Sequence, residues 1–251
     1  MTQPERITDE LELIKRHVPV RGGHLLDLGC GSGDMTRRLV TEGGAASALG
    51  LDIEAAVPVQ ATPVAGVAFR AGQAEALDLA DASCDGVLML KSLHHVPVER
   101  MDEALAEVAR VLRPGGVLYV SEPMARGPFD EIMRNFHDEA EVRAAAQNAL
   151  RRVGALRVMK DFIFLSPIAF PDFANFERRM MTLPNLTRPI TPGIRAATEA
   201  AYRERAAADG SFAAEREFAV KALRLHEGAP APSGDLPAPI ADARSSRSQP
   251  A

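Results

Sequence analysis

Along the first half of the chain, short apolar runs alternate with stretches whose apolar residues recur every three to four positions. Runs at about 24–29, 47–52, 66–70, 85–90 and 116–121 have the length of strands and stop at acids, glycines or turn residues. Leu11, Ile14 and Val18 share one face of a leading helix over about 8–18, which Thr8 can cap. A second helix is expected over about 33–42. Met101, Leu105, Val108 and Leu112 form the stripe of another over about 98–112, with Glu103, Glu107 and Arg110 mostly off it. Residues 54–66 contain Pro58 and Pro63 and no stripe, so a loop or one short turn is expected there. Strands alternating with helices predict right-handed crossovers, a parallel sheet and a ligand at the carboxyl ends of the strands.

The second half is patterned differently. Residues 128–153 read as one long helix, charged around 138–143, and 156–166 as a strand. Two helices are expected within 171–208, separated by Leu183-Pro184 and Thr191-Pro192. A final strand over about 213–225 carries Phe218, Val220 and Ala222 on one face and Leu223 and Leu225 on the other. The roughly 40 residues between the last two strands are too many for an ordinary loop. With Phe170, Phe173, Phe176, Met180 and Met181 they form either a lid over a substrate or a helix pair packed on the sheet or a partner. The reading is one domain over 1–227, with a helical insert at about 170–210 and a disordered tail over 228–251, where large apolar side chains are almost absent.

Chemistry concentrates at residues 25–33, Leu-Leu-Asp-Leu-Gly-Cys-Gly-Ser-Gly, between an expected strand and an expected helix. Glycines there let backbone approach a nucleotide closely. A dinucleotide fingerprint would place its third glycine where Asp34 stands, and Asp27 and Asp34 would both crowd a phosphate. A cationic ligand without phosphate suits the loop better, and S-adenosylmethionine, with its sulfonium and ammonium, fits. Asp52 ends the next strand about 20 residues on, the interval for an acid that accepts hydrogen bonds from ribose hydroxyls.

These blocks resemble class I S-adenosylmethionine-dependent methyltransferases, in particular the small-molecule branch that includes the ubiquinone/menaquinone-type enzymes. Three further segments carry the resemblance: Phe69–Leu77, Cys84–Val96 with its Leu-His-His turn, and Glu107–Pro123 with Pro114-Gly115-Gly116. Together they span about residues 20–125. The resemblance implies a Rossmann-like α/β fold: a seven-stranded, mostly parallel sheet with helices on both faces, an antiparallel last strand and a helical insert between the last two strands. It implies donor contacts from Asp27, Gly29, Cys30, Gly31, Gly33, Asp52, Ile53, Gln73, Ala74 and Leu90, with Ile53 covering adenine. Gln73 stands where relatives have an aspartate for the adenine amino group; its amide accepts without charge, so that contact is weakened. His94, His95, Lys91 and Glu122 are the candidate catalytic or acceptor-side residues. One histidine is expected to be structural, and Lys91 to be either a contact for an anionic acceptor or, as is commoner for such a lysine, solvated. No metal ligands are implied. S-adenosylhomocysteine would be the product.

Composition narrows the alternatives. With 29 basic and 34 acidic side chains the formal charge is −5, which argues against a mainly electrostatic nucleic-acid partner. No signal peptide or membrane span is read. Cys30 and Cys84 are expected at opposite ends of neighbouring strands, hence as free thiols in a reducing, cytoplasmic setting. The expected partner is a small-molecule acceptor, with oligomeric state open. The alternatives are a methyltransferase for RNA or protein, and a non-catalytic relative that binds the donor as a regulatory module.

Overall fold

The structure is a computed structural model that describes residues 3–53, 63–183 and 185–225. The expected loop at 54–66 and tail at 228–251 therefore lie largely or wholly outside the described residues. Among the described residues the strands are β1 (Glu5–Arg6), β2 (His24–Leu28), β3 (Ser47–Asp52), β4 (Val67–Ala71), β5 (Cys84–Leu90), β6 (Leu112–Pro123), β7 (Leu156–Phe170) and β8 (Phe212–Leu225). The helices are α1 (Glu10–His17), α2 (Asp34–Thr41), α3 (Met101–Val111), α4 (Pro128–Met133), α5 (Ala140–Arg152), α6 (Phe173–Met180) and α7 (Pro192–Arg205).

All eight strands join one sheet in the order β1-β7-β8-β6-β5-β2-β3-β4. Every pairing is parallel except those of β8, which runs antiparallel to both β6 and β7. The strand count is eight rather than the expected seven. The extra strand, β1, has only two exposed polar residues and hence no hydrophobic signature; Arg6 pairs with Glu215 at 2.8 Å beside it.

The alternation along the strands divides the core into two layers. Leu26, Leu28, Leu49, Leu51, Val87, Met89, Leu118 and Val120 meet the stripes of α3 and α5 on one face. Leu25, Ala48, Leu88, Val117 and Tyr119 meet α1 and α2 on the other. Phe218, Val220 and Ala222 lie in the second layer and Leu223 and Leu225 in the first, the split that the period-two pattern predicts.

Three local expectations are corrected. Asp9, not Thr8, caps α1: its carboxylate accepts from the Leu11 N–H at 3.1 Å and is itself gripped by Arg38. The strand expected at 116–121 runs from Leu112 to Pro123, because Leu112 already pairs with Cys84. The long helix expected over 128–153 is two helices, α4 and α5. Between them Phe136 is wholly buried against Phe176, and His137 and Glu139 turn inward. A continuous helix could not send these side chains to two different places.

The insert holds α6 and α7 as expected. Asp172 and Thr191 cap them through side-chain oxygens. Phe170, Phe176, Met181 and Tyr202 pack with Phe129, Ile132, Met133 and Phe136 of the α4 region into a third apolar cluster, separate from the two sheet layers. The insert is thus anchored to α4 and to the ends of β7 and β8.

Candidate active site

The first strand-to-helix turn is shaped by two close approaches. Gly29 has φ +75°, and a Cβ there would overlap the Ser92 side chain, whose hydroxyl donates to the Leu28 carbonyl at 2.6 Å. Gly31 has φ +51°, a left-handed conformation disfavoured for other residues. The Gly31 N–H donates to Asp52 Oδ2 and the Ile53 N–H to Asp52 Oδ1, both at 2.8 Å. One carboxylate therefore ties the glycine turn to the end of β3. Each of its oxygens keeps a further lone pair for a hydroxyl donor.

Over these strand ends opens a cavity of about 530 Å³, within the size range of small-molecule sites. Gly29, Gly31, Asp52, Ile53, Gln73, Ala74, Lys91 and His95, all singled out from the sequence, line it. Ile53 is 60% exposed at its rim. Asp27, Cys30, Gly33, Leu90, His94 and Glu122 are not among its lining residues. Asp27 lies beneath the turn, 2% exposed, and accepts from the Thr36 hydroxyl at 2.6 Å. Burial pushes its carboxyl up to about 6 against that hydrogen bond. Gly33 precedes α2 at its N-cap with φ 74°. Burial raises both thiols, Cys30 to about 12 and Cys84 to about 11, so neither is an activated nucleophile. Both cysteines are free.

Met89 faces the α3 layer and lines the cavity, whereas Leu90 packs in the other layer. Leu28, Leu51, Ser92, Val96, Pro97, Glu75 and Asn185 also line the cavity and were not singled out. Leu28 and Leu51 share the strand-end position of their acidic neighbours and were legible in principle. Asn185, in the connection between α6 and α7, had no sequence signal.

The two histidines have different surroundings. Both lie in a 3₁₀ turn over Leu93–His95. His94 is buried. Its Nδ1 is hydrogen-bonded to Glu122 Oε2, its backbone N–H donates to Glu122 Oε1 at 3.2 Å, and its Nε2 lies 3.5 Å from Glu139 Oε2. Burial would lower its pKa, but hydrogen bonds and charges from Glu122 and Glu139 hold it at about 9. These contacts favour the imidazolium form and make His94 part of a buried ion-pair network. His95 faces the cavity, with its ring 4.1 Å from that of His94. Burial first, then the His94 charge, push His95 below the ordinary imidazole value. The shift favours the neutral imidazole. Lys91, in a left-handed conformation (φ 58°), is paired with Glu10 and lies 5.3 Å from the Phe218 ring centroid.

Beyond His94 the ion pairs continue. Glu139 Oε2 accepts from Arg143 at 2.6 Å, and Glu139 Oε1 is 3.2 Å from His137 Nε2. Arg143 reaches Asp130 at 3.1 Å, and Asp130 also accepts from Arg216 at 2.9 Å. Despite burial, these partners hold the Glu139 carboxyl far below the usual range. His94, His95 and Glu139 bring possible ligand atoms within 4.8 Å of one another. However, the oxygen of Glu139 nearest His94 is already bonded to Arg143, so the cluster is built as an ion-pair chain.

A glycine turn after one strand, an acid ending the next and a cavity across both form a candidate small-molecule site at the carboxyl ends of β2 and β3. In comparison with known proteins, residues 25–116 match the family model described as "Methyltransferase domain". The chain is 35% identical over 130 residues to the O-methyltransferase resE of Aspergillus sclerotiorum, covering 48% of each protein. It is 32% identical over 162 residues to the O-methyltransferase cnsE of Penicillium expansum, covering 60% of this chain and 57% of that protein. A fatty-acid O-methyltransferase of Mycolicibacterium smegmatis is 34% identical over 134 residues, covering 52% of this chain and 48% of that one. The chain thus spans about half the length of these curated relatives. Among solved structures, YcgJ of Bacillus subtilis superposes with a TM-score of 0.62 at 20% identity, covering 87% of this chain and 99% of that one. A putative methyltransferase of Bacillus halodurans gives 0.61 at 15% identity, covering 86% and 98%. These two likenesses concern the fold alone. No described helix is long and apolar enough to cross a membrane.

Proposed function

We propose that the protein transfers a methyl group from S-adenosylmethionine to an oxygen of a small-molecule acceptor. The observation that carries this reading is the convergence of the Gly29–Gly31 turn, the Asp52 carboxylate and His95 on one cavity. The names of the matched O-methyltransferases favour oxygen over nitrogen, sulfur or carbon. The net charge of −5 supports a small acceptor over RNA.

The residues fit the donor. Asp52, held by two backbone N–H groups, would take the ribose hydroxyls. Ile53 and Ala74 would flank adenine, and Gln73 would accept from its amino group. When bound, the donor supplies a methyl group already activated on a sulfonium. The chain therefore has to align the acceptor, exclude water and, for a hydroxyl, remove one proton. His95, which faces the cavity with its neutral form favoured, is the base we assign; Val96, Pro97 and Met89 form the apolar wall beside it. Lys91 is neutralised by Glu10 and so is not assigned to an anionic acceptor.

Incubation with methyl-labelled donor and a panel of phenols, aliphatic alcohols and fatty acids tests the reading. Label is expected in an ether or ester product. A protein that binds S-adenosylhomocysteine yet labels nothing in the panel or in a metabolite extract is a donor-binding module, and the proposal fails.

A further inference from the structure

The connection between α4 and α5, residues 134–139, touches two regions far apart in sequence. On one side it meets the insert: the Asp138 N–H donates to Thr187 Oγ1 at 3.0 Å, Thr187 Oγ1 donates to the Phe136 carbonyl at 3.2 Å, and the Arg188 N–H donates to that same carbonyl at 3.1 Å. Two residues before Thr187, Asn185 lines the cavity. On its other side the connection meets the Leu93–His95 turn, through Glu139 and the His94 ring. Phe136 and Glu139 are both buried, so neither end of the connection can slide without opening apolar or charged surface.

We propose that residues 134–139 are a coupler: they link the insert edge carrying Asn185 to the turn carrying His95, with Glu139 as the positioning residue. The inference rests on the methyltransferase reading for its purpose, since Asn185 would meet the acceptor and His95 its proton. The mechanical claim is independent of that reading. The chain of contacts is short and has no slack: Asn185 and Thr187 share one connection, Thr187 grips 136 and 138, and Glu139 grips His94, whose ring lies against His95. Arg143 and His137 hold the Glu139 carboxylate from two further directions, which fixes its orientation toward His94. Displacement of the insert edge by an acceptor would therefore be felt at the His95 ring, and a lost acceptor contact would leave that ring less well placed.

Amide hydrogen exchange and imidazole NMR of the full chain, saturated with S-adenosylhomocysteine, test the coupler. Thr187 is exposed, so Thr187→Ala should fold. It is expected to speed exchange of the Asp138 amide and also of the His95 amide, which donates to the Ser92 carbonyl at 3.0 Å, by about threefold or more. It should also shift the His95 ring resonances. Glu139→Gln should produce the same two changes at His95, and additionally at Arg188, from the other side. A Thr187→Ala effect that stops at residue 138, with His95 exchange and ring signals as in the parent, overturns the proposal. Because neither readout involves turnover, a chain that labels no acceptor could still pass or fail this test.

Discussion

The proposed donor half and the proposed acceptor half of this molecule are held together by different forces. Around the glycine turn the decisive features are backbone ones: left-handed glycines, N–H groups on a carboxylate, strand ends in parallel register. Around His94 and the insert they are buried side chains, three carboxylates (Glu122, Glu139, Asp130) facing His94, Arg143 and Arg216. The first arrangement joins the ends of three neighbouring parallel strands, β2, β3 and β5, and the turns that follow them. The second joins positions 94, 122, 130, 139, 143 and 216, which only the completed fold brings together. In this chain the surroundings of His94 are tied mainly through buried side chains, and the glycine turn mainly through backbone groups.

Removal of a buried charge should break the acceptor half alone. Glu139→Ala leaves His94 and Arg143 short of a partner, and a loss of about 3 kcal/mol is expected in urea unfolding. Affinity for S-adenosylhomocysteine at a temperature where the variant is folded should not change; a matching loss would mean that the halves are not separable. The same cluster sets a pH dependence. His94 is raised to about 9 in the fold, so its stabilisation is complete below the unfolded imidazole value near 6.5 and disappears as pH rises through 9. The unfolding midpoint should fall over that window in the parent and fall less in His94→Gln.

His95 sharpens the comparison within a single turn. For a hydroxyl acceptor, His95→Ala should lower kcat about a hundredfold. For a carboxylic acid, ionised at neutral pH, the loss should be much smaller. Because its pKa is lowered, the parent should keep full kcat/KM through neutrality and lose it only below the ordinary imidazole range. An acid limb centred above 6.5 would contradict the assignment. The smallest effect is expected at Gln73, where Gln73→Ala removes one neutral hydrogen bond and should weaken donor binding about threefold by calorimetry.

The same contrast explains what was legible in the sequence. The glycine turn, the strand ends at Asp52 and Leu90 and the two faces of β8 follow from local periodicity and punctuation, and all were read within a residue or two. The break between α4 and α5 has no signal in the charges around 138–143, which fit one continuous helix, whereas Glu139 and Arg143 are 7% and 8% exposed. Nothing in one helix's pattern says that its charges will be met by His94 and Asp130. Asp27 was placed correctly at a strand end, but burial beneath the turn, with Thr36 as its partner, depends on how α2 returns over the sheet. Asn185 reaches the cavity only because Phe176, Met181 and Tyr202 dock the insert against α4.

The central claim is that the turn from Gly29 to Gly31, closed by Asp52, is a donor site built independently of the acceptor wall. Calorimetric titration of S-adenosylhomocysteine into the parent, Asp52→Ala and His95→Ala tests it most directly. At least tenfold weaker binding to Asp52→Ala, with His95→Ala equal to the parent, is the predicted result. Equal affinity for parent and Asp52→Ala would contradict it.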